Sequence, residues 1–170
     1  MQFIKKQLQK ALTLSKEEKF EESLAVLRSI KILNNDKNIK AIVDQQSALC
    51  LIQLKDGESA KALLLPYIEK KTKNKDILEL FLLTYIKGMK ADESYRAANE
   101  ALIALEPDNL SYHKTLLVYY QDAGLWTELK ELLDSLAARG IHPPEVEIFY
   151  FSYYLSTHEY KKGFSYYNKY

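Results

Sequence analysis

The segment LWTELKELLDSLAARGIHPPE, Leu125–Glu145, shows how the whole chain is built. Leu125, Leu129, Leu132, Leu133 and Leu136 stand at offsets 0, 4, 7, 8 and 11, which is one face of an α-helix. Gly140 follows Ala138 and Arg139 where a left-handed residue closes a helix, and Ile141 is the apolar residue behind it. Pro144 suits the first turn of the next helix, because its missing N–H has no intrahelical partner there anyway. One helix, its stop and the next start are spelled out in these 21 residues.

The same grammar extends outward. Leu24, Leu27, Ile30 and Ile32 mark a second helix, and Leu63, Leu64, Tyr67 and Ile68 a third. No segment sustains the period-2 alternation of a half-buried strand. Breaks recur along the chain: the polar cluster Asn34, Asn35, Asp36 and Asn38, then Asp56-Gly57, Asn74, Gly88, Pro107-Asp108-Asn109 and Gly124. Asp108 or Asn109 is placed to cap a helix that opens near Leu110. The pattern predicts an all-α protein of about ten helices, each of 11 to 18 residues, joined by short turns, with a longer turn around Gly88 to Asp92.

Composition sets the limits. A chain of 170 residues, 47% hydrophobic, with five Gly and four Pro, suits one helical domain and not a turn-rich β fold. One Cys excludes an internal disulfide and any zinc site needing two thiolates. The most apolar run, Ile77 to Ile86, is 10 residues and contains Glu79, short of the ~20 that a membrane span needs. The start MQFIKKQLQKALTL lacks a signal-peptide core. These features predict a chain without membrane attachment, and the lone Cys points to the cytoplasm.

The breaks have a period. An aromatic-type marker near the start of every second helix falls at Phe20, Ser59, Tyr95, Trp126 and Tyr160, at intervals of 39, 36, 31 and 34. Three residues on stand Ser23, Ala62, Ala98, Leu129 and Gly163. Seven on stand Leu27, Pro66, Leu102, Leu133 and Tyr167. A small residue on the inner face lets two antiparallel helices approach, and the large residues around it fill the groove beside them. In this pattern, and in the ending ALIALEPDN of Ala101 to Asn109, the chain resembles the tetratricopeptide repeat (TPR) family. The match is fullest at Tyr95-Ala98-Leu102, less full at Phe20-Ser23-Leu27, and carries Leu for the usual Ala at Trp126-Leu129-Leu133. The resemblance implies a right-handed superhelix, an α-solenoid, of about five antiparallel helix pairs, at residues 3–36, 38–72, 75–106, 108–141 and 144–170. AARGIHPPE, Ala137 to Glu145, is also similar to a pentatricopeptide repeat, which reads RNA. A formal charge of +1 gives no general attraction to nucleic acid, so no nucleic-acid partner is expected.

Catalytic signatures are missing from the sequence. There is no Gly-rich phosphate loop and no HExxH, CxxC or EF-hand pattern. His113, His142 and His158 belong to three separate elements, and Cys50 lies on an apolar stripe where a thiol behaves as a small hydrophobe. Glu17, Glu18, Glu21 and Glu22 sit at a helix start, where negative charge favours the dipole. No enzyme, cofactor or metal site is expected.

Binding features remain. Residues 1–75 carry a net charge of +6, residues 76–149 carry −7 and the last 21 carry +2. In the family the first helix of each pair lines a concave groove that holds a peptide or helix. The matching positions here include Asp44 and Ser47, and the groove residues expected to meet a partner are Lys87, Lys114, Tyr120 and Gln121. Ten of the 13 tyrosines lie from Tyr112 onward. Phe164, Tyr166, Tyr167 and Tyr170 cannot all point inward from one short helix, so this end, with Tyr153 and Tyr154, is expected to meet a partner, a second copy, or a continuation of the chain past Tyr170. The function expected is a non-catalytic scaffold for a protein or peptide. The alternatives are the N-terminal repeat domain of a larger enzyme of glycosyl- or sulfotransferase type, which the ending EYKKGFSYYNKY resembles, and a secretion-type chaperone.

Overall fold

The computed structural model describes residues 2–34, 36–86 and 89–169. Among the described residues ten α-helices run in chain order: α1 (Gln2–Lys16), α2 (Phe20–Leu33), α3 (Lys37–Gln53), α4 (Gly57–Glu69), α5 (Lys75–Leu83), α6 (Glu93–Leu105), α7 (Leu110–Ala123), α8 (Trp126–Ala138), α9 (Pro144–Ser156) and α10 (Tyr160–Lys169). Among the described residues there is no strand. The chain forms two compact units, Met1–Leu105 and Glu106–Tyr170. In the first, hairpins α1–α2, α3–α4 and α5–α6 stack so that α1, α3 and α5 touch in sequence and α4 meets α6. In the second, hairpins α7–α8 and α9–α10 stack through α7, α8 and α9.

Four of the five hairpins close with one turn. The residue before the second helix donates its N–H to the carbonyl five residues back: Lys19 to Leu14, Asp56 to Leu51, Leu125 to Tyr120 and Glu159 to Tyr154, at 2.8 to 2.9 Å. The residue before that donor is left-handed, at Glu18 (φ 60°), Lys55 (φ 64°), Gly124 (φ 69°) and His158 (φ 62°). This is the Schellman geometry, which satisfies carbonyls that the helix end leaves open. The sequence announces it only at Gly124; at the other three a side chain accepts a conformation that glycine takes at less cost. Gly140 (φ 74°) closes α8 in the same way, with Ile141 donating to Leu136 at 3.0 Å. Pro144 opens α9, and Asn109 caps α7 by accepting from the Ser111 N–H.

The position three residues after the marker is buried in every pair after one correction, although it is Leu129 in the fourth, and in the fifth the flanking Tyr160 and Tyr167 are exposed. The second hairpin meets its neighbour at Gly57, Ala60 and Leu64, all buried, whereas Ser59, Ala62 and Pro66 of the sequence reading are exposed. The marker position is therefore a glycine. A Cβ at Gly57 would stand 2.3 Å from the Thr84 carbonyl oxygen and 2.9 Å from Ile86 Cγ1. The chain leaving α5 crosses directly over this helix start, so no aromatic ring fits there. The same crossing explains why α5, at nine residues, is shorter than expected. Thr84, fully buried, turns its hydroxyl onto the Phe81 carbonyl at 2.7 Å, and the connection runs on to Asp92 before α6 begins. The expected break at Gly88 falls on this connection, outside the described residues. At ten residues α10 is also shorter than expected.

Core packing follows the register. In the first unit Ala11, Leu24, Leu27, Ile30, Val43 and Cys50 form one buried cluster. The Ser23 hydroxyl donates to the Ala11 carbonyl at 2.9 Å, and the Cys50 thiol sits 3.6 Å from that same hydroxyl. In the second unit Leu116, Leu117, Leu129, Leu133, Leu136 and Val146 are buried.

Candidate functional site

On α7, Lys114, Val118 and Gln121 fall at offsets 0, 4 and 7, one stripe of the helix. Val118 is 47% exposed, and Lys114 and Gln121 are half-buried. Tyr120 is six residues from Lys114, about 240° around the helix. It is buried beside Tyr119, at 5.8 Å between ring centroids, and so does not share that face. Lys87 lies outside the described residues.

In the first unit the matching helices behave differently. Asp44 and Ser47, which the repeat register put on the groove, are buried. The face between α3 and α5 instead carries a 370 Å³ depression lined by Gln45, Gln46, Leu49, Glu79 and Leu83.

At the chain end α9 and α10 meet through rings. Gly163 lies at their contact: a Cβ there would stand 3.4 Å from Tyr154 Cβ and 3.6 Å from Phe151 Cδ2, ordinary contact distances. Tyr150 stacks with Tyr166 at 5.0 Å, Tyr154 lies 5.7 Å from Tyr166, and Tyr153 meets Tyr154 edge-on at 5.3 Å. Phe151 meets Phe164 at 6.2 Å and Tyr167 at 5.5 Å. Tyr153, Tyr154 and Tyr166 are half-buried, while Phe164 and Tyr167 are mainly exposed. Tyr170 lies outside the described residues.

One constellation had no sequence signal. Three times a lysine and a tyrosine hydroxyl converge on one aspartate. Lys31 and Tyr67 donate to the two oxygens of Asp44 at 2.8 and 2.9 Å, tying α2, α3 and α4 together. Lys61 and Tyr85 donate to Asp92, each at 2.6 Å. Lys130 and Tyr150 donate to Asp134 Oδ1 at 2.7 and 2.9 Å. The lysine also stands over the ring in two of them, at 4.8 Å for Lys61 on Tyr85 and 5.5 Å for Lys130 on Tyr150. Lysine and aspartate are separated by 13, 31 and 4 residues in the three cases; only the last is a helical i,i+4 spacing, so no single rule finds the set.

Their electrostatics agree. Burial raises the Tyr67, Tyr85 and Tyr150 phenols above the ordinary value, and the hydrogen bond to a carboxylate raises them further. For Asp92 and Asp134 burial pushes the carboxyl up. Hydrogen bonds from Lys61 and Tyr85 to Asp92, and from Lys130 and Tyr150 to Asp134, outweigh it and hold both below 3.8. These are fold ties built from charge-assisted bonds.

The three histidines stay apart in role. His113 Nε2 donates to the Pro107 carbonyl at 2.8 Å, His142 Nδ1 lies 2.9 Å from Glu147 Oε1, and His158 Nδ1 lies 2.7 Å from the Tyr160 hydroxyl. Among the described residues no group of three or more His, Cys, Asp or Glu gathers as a metal site requires, and no helix is long and apolar enough to cross a membrane.

With this geometry in place, comparison with solved structures is informative. A structure of a MamA mutant superposes with a TM-score of 0.66 at 15% sequence identity, covering 98% of this chain and 94% of that one. MamA is a TPR-like helical protein. The chain has a TPR-like helical-repeat fold. No protein-family model matches the sequence, and no curated protein matches it.

Proposed function

We propose that the chain is a non-catalytic scaffold, held in the cytoplasm, that binds a protein or peptide partner. Two surfaces serve it: the α7 stripe of Lys114, Val118 and Gln121, and the aromatic end of α9–α10. One observation carries the reading. Tyr160, Phe164 and Tyr167 stand at offsets 0, 4 and 7 on α10 and are 50%, 54% and 60% exposed. Rings are the residues that interfaces favour, since they bring large area at small conformational cost. Phe151 of α9 meets both Phe164 and Tyr167 from behind, at 6.2 and 5.5 Å between ring centroids.

The test uses the full chain as bait, comparing wild type with Phe164→Ser/Tyr167→Ser and with Lys114→Glu/Val118→Ser. Both pairs are expected to lose the captured protein while circular dichroism stays unchanged. Unchanged recovery by both pairs removes the scaffold reading at these surfaces. The exposed α10 stripe also supports a second reading, self-association. Light scattering that shows a dimer in wild type and a monomer in the α10 pair favours it.

A further inference from the structure

The geometry points to a separate binding track in the first unit, between α2, the start of α3, and α4, that takes an acidic peptide segment carrying an apolar side chain. It uses none of the residues of the α7 or α10 stripes, and it sits between the second helices of successive pairs.

The hollow there has a volume of 390 Å³, within the range of ligand-sized sites. Four of its nine lining residues are lysines, Lys31, Lys37, Lys40 and Lys70, and one is acidic, Asp44. Asp44 is 2% exposed, and its two oxygens are committed to Lys31 and to the Tyr67 hydroxyl. Among the described residues Lys37, Lys40 and Lys70 are exposed and engage no carboxylate. The hollow therefore presents three uncompensated ammonium groups around a neutralised base, in a stretch of chain that carries +6. Opposite charge is what such an arrangement attracts and orients.

The floor decides which anion fits. It is made by Ala62, Leu63 and Pro66 of α4. Pro66 lies inside the helix, so it has no N–H for the Ala62 carbonyl four residues back, and both residues are exposed on the wall of the hollow. The Ala62 carbonyl thus lacks its helical donor, and it is the acceptor assigned here to a peptide N–H. A second hollow of 200 Å³ shares Lys31 and Leu63 with the first and adds Arg28 and Leu24, so the surface is a track along α2 and α4 and not a single hole. An extended acidic segment matches every part: carboxylates to the lysines, an apolar side chain on Leu63 and Pro66, and a backbone N–H to the Ala62 carbonyl. RNA matches less. The lining has one ring, Tyr67, and its hydroxyl is tied to Asp44, whereas single-stranded RNA is held on stacked rings.

The probe is a fluorescein-labelled heptapeptide with leucine at the centre and aspartate or glutamate elsewhere, read by anisotropy against the full chain. Wild type is expected to bind, more weakly as salt rises. Lys37→Glu/Lys40→Glu/Lys70→Glu is expected to weaken binding about tenfold or more, from three exposed charge pairs. Pro66→Ala restores the missing N–H, so it is expected to raise the melting temperature and yet weaken the peptide, a pairing that a purely structural proline does not give. Equal affinity of wild type and the charge-reversed chain overturns the proposal, as does no binding by wild type. Tighter binding of a labelled single-stranded RNA than of the peptide also overturns it. So does a wild-type dimer, seen by light scattering, that charge reversal abolishes, because the track is then filled by a second copy.

Discussion

In the α1–α2 hairpin the helices meet at Ser23, whose hydroxyl reaches the Ala11 carbonyl, and Leu24, Leu27 and Ile30 fill the space beside it. In the α9–α10 hairpin they meet at Gly163, and the space beside it is filled by Tyr150, Phe151, Tyr154 and Tyr166. Both close with the same 6→1 turn, at Lys19 to Leu14 and at Glu159 to Tyr154. One hairpin fills its contact with aliphatic side chains that are buried, and the other fills it with rings, of which Tyr154 and Tyr166 are half-buried. The turn and the small contact residue thus set the geometry of a pair, and the surrounding chemistry is free to serve either interior or surface.

The widest separation between the two hairpins should appear in large-to-small substitutions. Leu27 is fully buried, so Leu27→Ala is expected to cost about 2–5 kcal/mol in urea denaturation. Phe164→Ala is expected to cost less than about 1 kcal/mol, because more than half of the ring is already in water. Similar losses from both would mean that α10 is core like α2. A smaller contrast lies in two glycines. Gly57→Ala drives a Cβ against the Thr84 backbone and is expected to destabilise by about 1–3 kcal/mol. Gly163→Ala meets only ordinary contact distances and gains helix propensity, for about 0.5–1 kcal/mol of stabilisation. Opposite signs in the two melting temperatures sharpen the comparison, and equal signs break it.

The smallest expected effect is on acid stability. Asp92 in the first unit and Asp134 in the second are both held below 3.8. A lowered carboxyl contributes stability that is full above the unfolded value and is lost as pH falls through the folded one. Asp92→Asn and Asp134→Asn are each expected to lower the urea midpoint slightly at neutral pH and to converge on wild type as pH falls, which flattens the acid limb. Both carboxylates are substantially exposed, at 44% and 55%, so solvent screening keeps the effect small. An acid limb that keeps its slope in both variants removes these aspartates from its cause.

The helices and their pairing were legible because each helix needs a dry stripe, and a stripe is written in consecutive offsets such as Leu125 to Leu136. The stops were legible where glycine or proline supplied them, at Gly124, Gly140 and Pro144. They were not legible at Glu18, Lys55 and His158, where stacking of the two helices forces a left-handed residue regardless of its type. The marker at Ser59 was two residues late because Gly57 shows no aromatic signal; it is small owing to a crossing segment from α5, a contact between distant parts of the chain. The placement of the candidate side chains was legible only in part. Lys114 and Gln121 share a face by periodicity alone. Tyr120 turned inward for the same reason, and Asp44 was lost from the groove to Lys31 and Tyr67, which approach it only in three dimensions.

The three phenol–carboxylate ties give the chain a behaviour in alkali that its composition conceals. Of 13 tyrosines, Tyr67, Tyr85 and Tyr150 keep their protons after a free phenol, with its ordinary value of 10.0, has lost its own. A raised phenol contributes stability that is full below the unfolded value and drains away as pH climbs towards the folded one. Phenolate absorbance from these three therefore rises late, and it rises in step with the loss of helix, so their absorbance change reports the unlocking of α2, α3, α4, α8 and α9 and not simple titration.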